Sequence, residues 1–250
     1  MRIIGELGKE YGLSFNFDKL EVLCARCDAK IIKQDGTTVD QKDPLKYLGA
    51  TLASDGRIDS EVSRRIGLAH ADFRSLSRVW SHSGLSLREK VRIFEACVIS
   101  RLTYGLMTAW LPAATRRRLD GFQARCLRRI VKTPAAYVSR VSNIAVLQKS
   151  GCIRLSLRIR EQQLLLVGQY LSSPAHCPTR VMLERWMADE PYQGGRGRGR
   201  PRMTWCADVV EEAIALAGSR SQLMQLVLDR ARWRATVQKH CRGMSERVGA

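Results

Sequence analysis

The chain has 250 residues, of which 42 are Lys or Arg and 24 are Asp or Glu, for a net charge of +18 with neutral histidines. That length suffices for one ordinary domain or two small ones with a buried core, and 45% hydrophobic with 26% charged residues is a globular composition. The charge excludes an acidic disordered protein and an enzyme built to gather cations. It favours a polyanionic partner, nucleic acid before an anionic membrane surface.

Residues 1–11 read as the end of a helix, with Ile4, Leu7 and Tyr11 near one face and Gly12 placed to stop it. Leu13-Ser-Phe-Asn-Phe alternates as a strand does, and Val22-Leu23 continues a sheet. Asp35-Gly36 after Ile31-Ile32 is a hairpin signal, and Pro44 to Leu52 reads as a further strand closed by Ser54-Asp-Gly-Arg. Residues 12–57 therefore form a β-rich segment too small to be stable alone.

From Ile58 the period becomes helical. Val62, Ile66, Ala69, Phe73, Leu76 and Trp80 fall on one stripe, with Arg64, Arg74 and Arg78 opposite. Ser86-Leu-Arg-Glu89 is a capping box that opens a helix with Leu87, Val91, Phe94, Val98 and Leu102 inward. Leu119, Phe122, Cys126 and Ile130 stripe the next helix, decorated by Arg116, Arg117, Arg118, Arg125, Arg128 and Arg129 and ended by Pro134. Three amphipathic helices in a row read as a small bundle.

A helix over about 153–171 and a loop over 172–180 follow. Pro191 to Arg202 is rich in glycine and arginine and reads as a flexible linker. Thr204 caps a helix to about Ala217, and Ser219 or Ser221 opens the last helix through Leu223, Leu226, Arg230 and Trp233. The fold class is mainly α with a small N-terminal β-rich segment. The divisions expected are 1–57, 58–135, 136–188, a linker over 189–203, and C-terminal helices over 204–250.

The charge follows these divisions. Residues 1–60 hold 9 basic and 10 acidic side chains, net −1; residues 61–135 hold 15 and 5, net +10; residues 136–250 hold 18 and 9, net +9. Arginine outnumbers lysine by 32 to 10, as suits phosphate, whose oxygens match the planar guanidinium fork, although a GC-rich genome produces the same ratio. Arg196, Arg198, Arg200 and Arg202 lie in the linker, where Arg198-Gly-Arg-Pro201 matches the core of an AT-hook. Such a segment reads a narrow minor groove, or tracks phosphates without reading sequence, or is plain linker.

Catalytic constellations are missing from the sequence. There is no Asp-Asp pair, no G-x-S-x-G, no P-loop and no H-E-x-x-H, and His70, His82, His176 and His240 are far apart. Cys24-Ala-Arg-Cys27 is a lone C-x-x-C whose only second pair would be His176-Cys177, so zinc is not expected. Asp40 with Asp43, or Asp55 with Asp59, read as turn and cap residues, and Glu211-Glu212 suits a helix start. Cys97 and Cys126 sit on apolar stripes and read as core. No signal peptide or membrane span is expected, and scattered cysteines fit a reduced, intracellular setting, nuclear or cytoplasmic.

Tyr11–Lys19, Leu45–Gly49, the helices from Ile58 to Pro134, Arg198–Trp205 and Asp229–Arg234, in that order, resemble the C-terminal part of a reverse transcriptase from a non-LTR (LINE-type) retrotransposon. Tyr11-Gly-Leu-Ser-Phe-Asn-Phe-Asp-Lys19 resembles the fourth palm motif, with Leu20 where the family has Thr. Leu45-Lys-Tyr-Leu-Gly49 resembles the primer-grip hairpin. The helices from Ile58 to Pro134 look like the thumb and its continuation, with Leu102-Thr-Tyr-Gly105 and Cys126-Leu-Arg-Arg129. Arg198 to Trp205 and Asp229-Arg-Ala-Arg-Trp-Arg234 are similar to segments of such elements' C-terminal regions.

The resemblance implies that Lys19 sits near nucleotide phosphates, that Tyr47, Leu48 and Gly49 support a primer end, and that Arg64, Arg74 and Arg78 track a template–primer backbone. The complete family enzyme uses magnesium held by palm carboxylates upstream of the fourth motif, about where this chain begins. The expectation is a chain that grips an RNA–DNA hybrid or duplex DNA, without cofactor, and does not polymerise alone. A separate N-terminal polymerase portion is the further partner implied. A non-catalytic DNA-binding remnant and a pseudogene product are the alternatives.

Overall fold

The computed structural model describes residues 2–25, 27–33, 36–188 and 204–247. The protein is mainly helical and divides into two compact units, residues 1–61 and 62–250.

In the first unit, α1 (Arg2–Glu10) ends in a Schellman motif. Gly12 takes φ +68°, the Leu13 N–H reaches the Gly8 carbonyl at 2.8 Å, and the Gly12 N–H reaches Lys9 at 3.1 Å. Leu13–Phe17 forms no strand despite its alternation; a single 3₁₀ turn, Phe17–Lys19, follows it. Alternation is only half of a strand, and this segment finds no edge to pair with. β1 (Glu21–Val22) and β2 (Asp40–Gln41) pair in parallel. Between them, backbone bonds from Lys33 to Thr37 and from Val39 to Ile31 close the hairpin that Asp35-Gly36 signals, although residues 34 and 35 lie outside the described set.

The pattern from Pro44 to Leu52 reads as one strand, although Leu45–Gly49 also resembles a hairpin motif; the chain forms a tight hairpin there. β3 (Leu45–Tyr47) and β4 (Ala50–Leu52) run antiparallel in register Leu45↔Leu52 and Tyr47↔Ala50. The two-residue turn has positive φ at both positions, Leu48 at +47° and Gly49 at +79°. That is the type I′ pattern, whose twist matches the strands. Beyond it, Asp43 accepts from the Ser54 N–H at 3.1 Å and from the Ser54 hydroxyl, closing the base.

The second unit is an all-helical body. α2 (Asp59–Ser75) spans the boundary between the units, and α3 (Ser77–Ser81) follows. The periodicity predicts one helix through Trp80, but the chain breaks at Leu76. Ser75 donates back to the Asp72 carbonyl at 2.8 Å, a local bond that competes with the helix ladder. A continuous helix would give the Phe73 carbonyl to the Ser77 N–H. Here it accepts the Trp80 indole N–H at 2.7 Å. Trp80 then stacks on Phe73 at 5.0 Å, and Phe94 meets both rings edge-on.

The capping box forms: the Glu89 N–H donates to Ser86 Oγ, and the Ser86 N–H to the Glu89 carboxylate at 2.8 Å. It opens α4 (Leu87–Ile93), which passes through π-helical turns over Phe94–Ile99 into α5 (Ser100–Thr103). The wider turn brings Val98 and Ile99 inward and leaves Cys97 exposed, against the core role expected of it.

α6 (Ala113–Ile130), α7 (Ala136–Ser139), α8 (Asn143–Ser150), α9 (Leu155–Leu171) and α10 (Pro178–Met187) follow. α9 is the central helix, packed by α6, α10 and α13 (Arg230–Arg247). Its first N–H groups lack a cap from their own segment, so α6 supplies one. Gln123 Oε1 accepts from Leu155 N at 2.8 Å, and Asp120 accepts from Ser156 N at 2.8 Å.

The C-terminal part breaks into more pieces than the stripes suggest. π-helical turns Cys206–Val210 lead into α11 (Glu211–Ala217), then α12 (Arg220–Leu226) and α13. Asp229 accepts from the N–H groups of Ala231 and Arg232, which starts α13 after Leu226 rather than continuing one helix. The Trp233 ring abuts Gly168, where a Cβ would stand 2.4 Å from it, and its indole N–H donates to the Leu164 carbonyl at 3.1 Å. Among the described residues no helix is long and apolar enough to cross a membrane.

Candidate nucleic-acid interface

Basic side chains fall into two sets in the helical unit. One set is consumed by the fold. Arg65 is buried and lies 4.6 Å over the Tyr104 ring, with Nη1 donating to the Arg101 carbonyl. Arg160 is buried between Asp208 at 2.7 Å and Glu212 at 3.4 Å, and His240 bonds Glu212 from the other side. Arg128, read from sequence as surface decoration, is 7% exposed. Its Nε and Nη2 reach Asn143 Oδ1, its Nη1 reaches the Pro134 carbonyl at 2.9 Å, and its Nη2 also reaches the Val141 carbonyl.

The second set faces outward. Arg78 on α3 with Arg129 and Lys132 at the end of α6 line an open depression of about 360 Å³, together with Ser77, Ser81 and Trp80. Lys132 takes φ +53° where α6 ends. Cations there suit the negative end of the helix macrodipole, and three of them also make a positive surface matched to phosphate. A second open depression on α13, about 480 Å³, is lined by Lys239 and Arg242 with Ala235, Gln238 and Gly243.

The residues singled out from sequence fall on several elements of the two units. Lys19 is exposed on the 3₁₀ turn, and Tyr47, Leu48 and Gly49 form the exposed hairpin tip, all in the first unit. In the second unit Arg64 is half-buried on α2, Arg74 is exposed in its last turn, and Arg78 belongs to α3 beyond the break. The structure thus groups Arg78 with Arg129 and Lys132, which the stripe pattern does not foresee. Arg196, Arg198, Arg200 and Arg202 lie outside the described residues.

A signal for the new cluster is present in the sequence. Between Asp120 and Glu161 there is no acidic residue, while nine basic ones occur: Arg125, Arg128, Arg129, Lys132, Arg140, Lys149, Arg154, Arg158 and Arg160. Net charge over long windows blurs this run.

The cysteines are all free thiols. Burial pushes the Cys126 thiol up to about 12 and the Cys241 thiol up to about 11. The Thr179 hydroxyl, 3.2 Å away, pulls the Cys177 thiol down. Among the described residues no three His, Cys, Asp or Glu side chains are grouped to hold a metal ion. Comparison of the chain with protein-family models, with curated proteins and with solved structures finds no match in any of the three.

Proposed function

We propose that the chain belongs to the LINE-type reverse transcriptase lineage and holds nucleic acid, gripping a template–primer duplex through phosphate contacts. The observation that carries this reading is the acid-free run from Gly121 to Arg160, whose residues Arg129 and Lys132 join Arg78 around one open depression. Cations so placed neutralise phosphates and position a duplex without reading its bases. The order of the palm-like, primer-grip-like and thumb-like motifs supports the same lineage. Tyr47, Leu48 and Gly49 at a tight hairpin tip have the exposure that contact with a primer end requires.

Salt titration of binding to an RNA–DNA hybrid tests this. Each neutralised phosphate adds about −0.9 to the slope of log K against log salt. Changing Arg78, Arg129 and Lys132 together to Gln should flatten that slope by roughly 2–3. A flat wild-type dependence, or no binding at low salt, overturns the proposal.

A further inference from the structure

The segment that follows the basic depression is held in an unusual way. Arg128 is buried beneath residues 134–143, and each of its five N–H donors has an acceptor there: the Pro134 and Val141 carbonyls, Asn143 Oδ1 twice, and Ser139 Oγ. None of these acceptors is a carboxylate. The guanidinium thus keeps its charge inside the fold and ties both ends of the segment to α6. Ser139 adds bonds to the Pro134 and Ala135 carbonyls and accepts the Val141 N–H. The one turn so fixed, α7, presents Tyr137 at 86% exposure and Val138 at 60%.

A single exposed aromatic residue is ordinary, but one braced by a buried cation in an acid-free run is a preorganised surface. Its surroundings choose the occupant. Lys132 precedes it and Arg140 ends it, both exposed, and no carboxylate occurs between Asp120 and Glu161. An exposed ring with a cation on either side of it along the chain suits a base stacked between phosphates, because every base has a π-face and every linkage a negative charge.

We infer that residues 134–143 form a stacking platform for an unpaired base of a single-stranded nucleic acid, with Tyr137 as the ring and Lys132 and Arg140 holding the flanking phosphates. The inference rests on the proposed nucleic-acid binding and names a site within it.

The experiment measures fluorescence anisotropy of two labelled single-stranded oligonucleotides of equal length, one with bases and one abasic throughout. Wild-type protein should bind the base-bearing strand more tightly. Tyr137→Ala should weaken that binding roughly 5- to 100-fold and leave the abasic strand unaffected, while Tyr137→Phe retains wild-type affinity. Because Tyr137 is exposed, its removal should leave the melting temperature unchanged. Equal binding of both strands by wild type, or no loss in Tyr137→Ala, overturns the platform while nucleic-acid binding stands. That is also the result expected if the surface receives a protein instead. Equal weakening on both strands assigns Tyr137 no stacking and overturns it too. Failure to bind any nucleic acid at low salt removes both readings.

Discussion

The two units are held by different physics. Among the residues of 1–61 whose burial is described, only Val39 and Glu61 are buried, and the strands are two or three residues long. Turns and local polar bonds shape that unit: the glycine-ended α1, the type I′ tip, and Asp43 on Ser54. The helical unit has a continuous apolar core around α9, with Leu164, Val167, Leu171, Val210, Leu223, Trp233 and Val237 fully or nearly buried. Elsewhere in the same unit Arg65 and Arg128 are buried with acceptors supplied, and Arg160 is buried between Asp208 and Glu212 with its Nη1 left unpartnered. The near-neutral region is therefore organised by backbone geometry, and the basic region by packing. Charge can be placed usefully on a surface only where a core fixes that surface.

If so, the largest effect comes from removing a core aromatic of the helical unit. Trp233→Ala should cost about 3–5 kcal/mol, since it opens a cavity against Gly168 and removes the indole bond to the Leu164 carbonyl. For a body of this size the melting temperature should fall by roughly 6–20 °C. Gly168→Ala attacks the same contact from the other side by forcing the ring away. Melts that barely move would mean that α9 and α13 are not joined through this pair, and the contrast between the units would fail.

Much of this core is legible in the sequence because a helix stripe is a local signal. Phe73, Trp80, Phe94, Val98, Leu102, Leu119, Phe122, Cys126 and Ile130 all lie on predicted inward stripes and are buried. The breaks are less legible. The chain parts at Leu76 because an indole close to Phe73 in space takes its carbonyl, a choice no window of sequence displays. The same holds for charged residues. Arg128 and Arg129 are neighbours of one type, yet Arg128 is swallowed by the loop after α6 while Arg129 lines an open depression. Only the partners, Asn143 and the carbonyls of Pro134 and Val141, separate them. The hairpin tip is hidden for a related reason. Leu48-Gly49 is not a turn dipeptide of the usual composition, so the residue pattern alone reads Pro44 to Leu52 as one strand, and only the resemblance to a hairpin motif points to a turn there.

The contrast also sets opposite responses to pH. In the unfolded chain Cys126 and Cys241 ionise near their ordinary value of 9.0, whereas burial holds the folded thiols at about 12 and about 11. Below pH 9 both states keep the proton and these groups have no effect. Above it the unfolded state loses protons first, so stability of the helical unit falls as pH rises toward the folded values. In the first unit the Ser54 hydroxyl and N–H hold the Asp43 carboxyl below its ordinary 3.8. That contribution is present above 3.8 and is lost as pH falls through the lower folded value. All five tryptophans, at 80, 110, 186, 205 and 233, belong to the helical unit, so their fluorescence reports it alone. Its denaturation midpoint should fall as pH rises from 9 to 11, less steeply in Cys126→Ala. Equal slopes in the two proteins would show that the buried thiol contributes nothing.

The smallest effect should be the most discriminating. Leu48 carries a bulky side chain at φ +47° and is 75% exposed, so neither packing nor backbone preference explains leucine there. Asparagine tolerates that conformation, and Asn-Gly is the favoured type I′ pair. Leu48→Asn should therefore stabilise the hairpin by about 0.5–1 kcal/mol, read as slower amide exchange across β3 and β4. If the exposed leucine exists to touch a primer end, the same change should weaken binding to an RNA–DNA hybrid. Opposite signs, a firmer hairpin with a poorer grip, would show strain kept for contact. A firmer hairpin with an unchanged grip would leave Leu48 as an unimproved turn residue and remove the hairpin from the binding surface. The helical unit, with Arg78, Arg129 and Lys132 around one depression, would then be the whole of it.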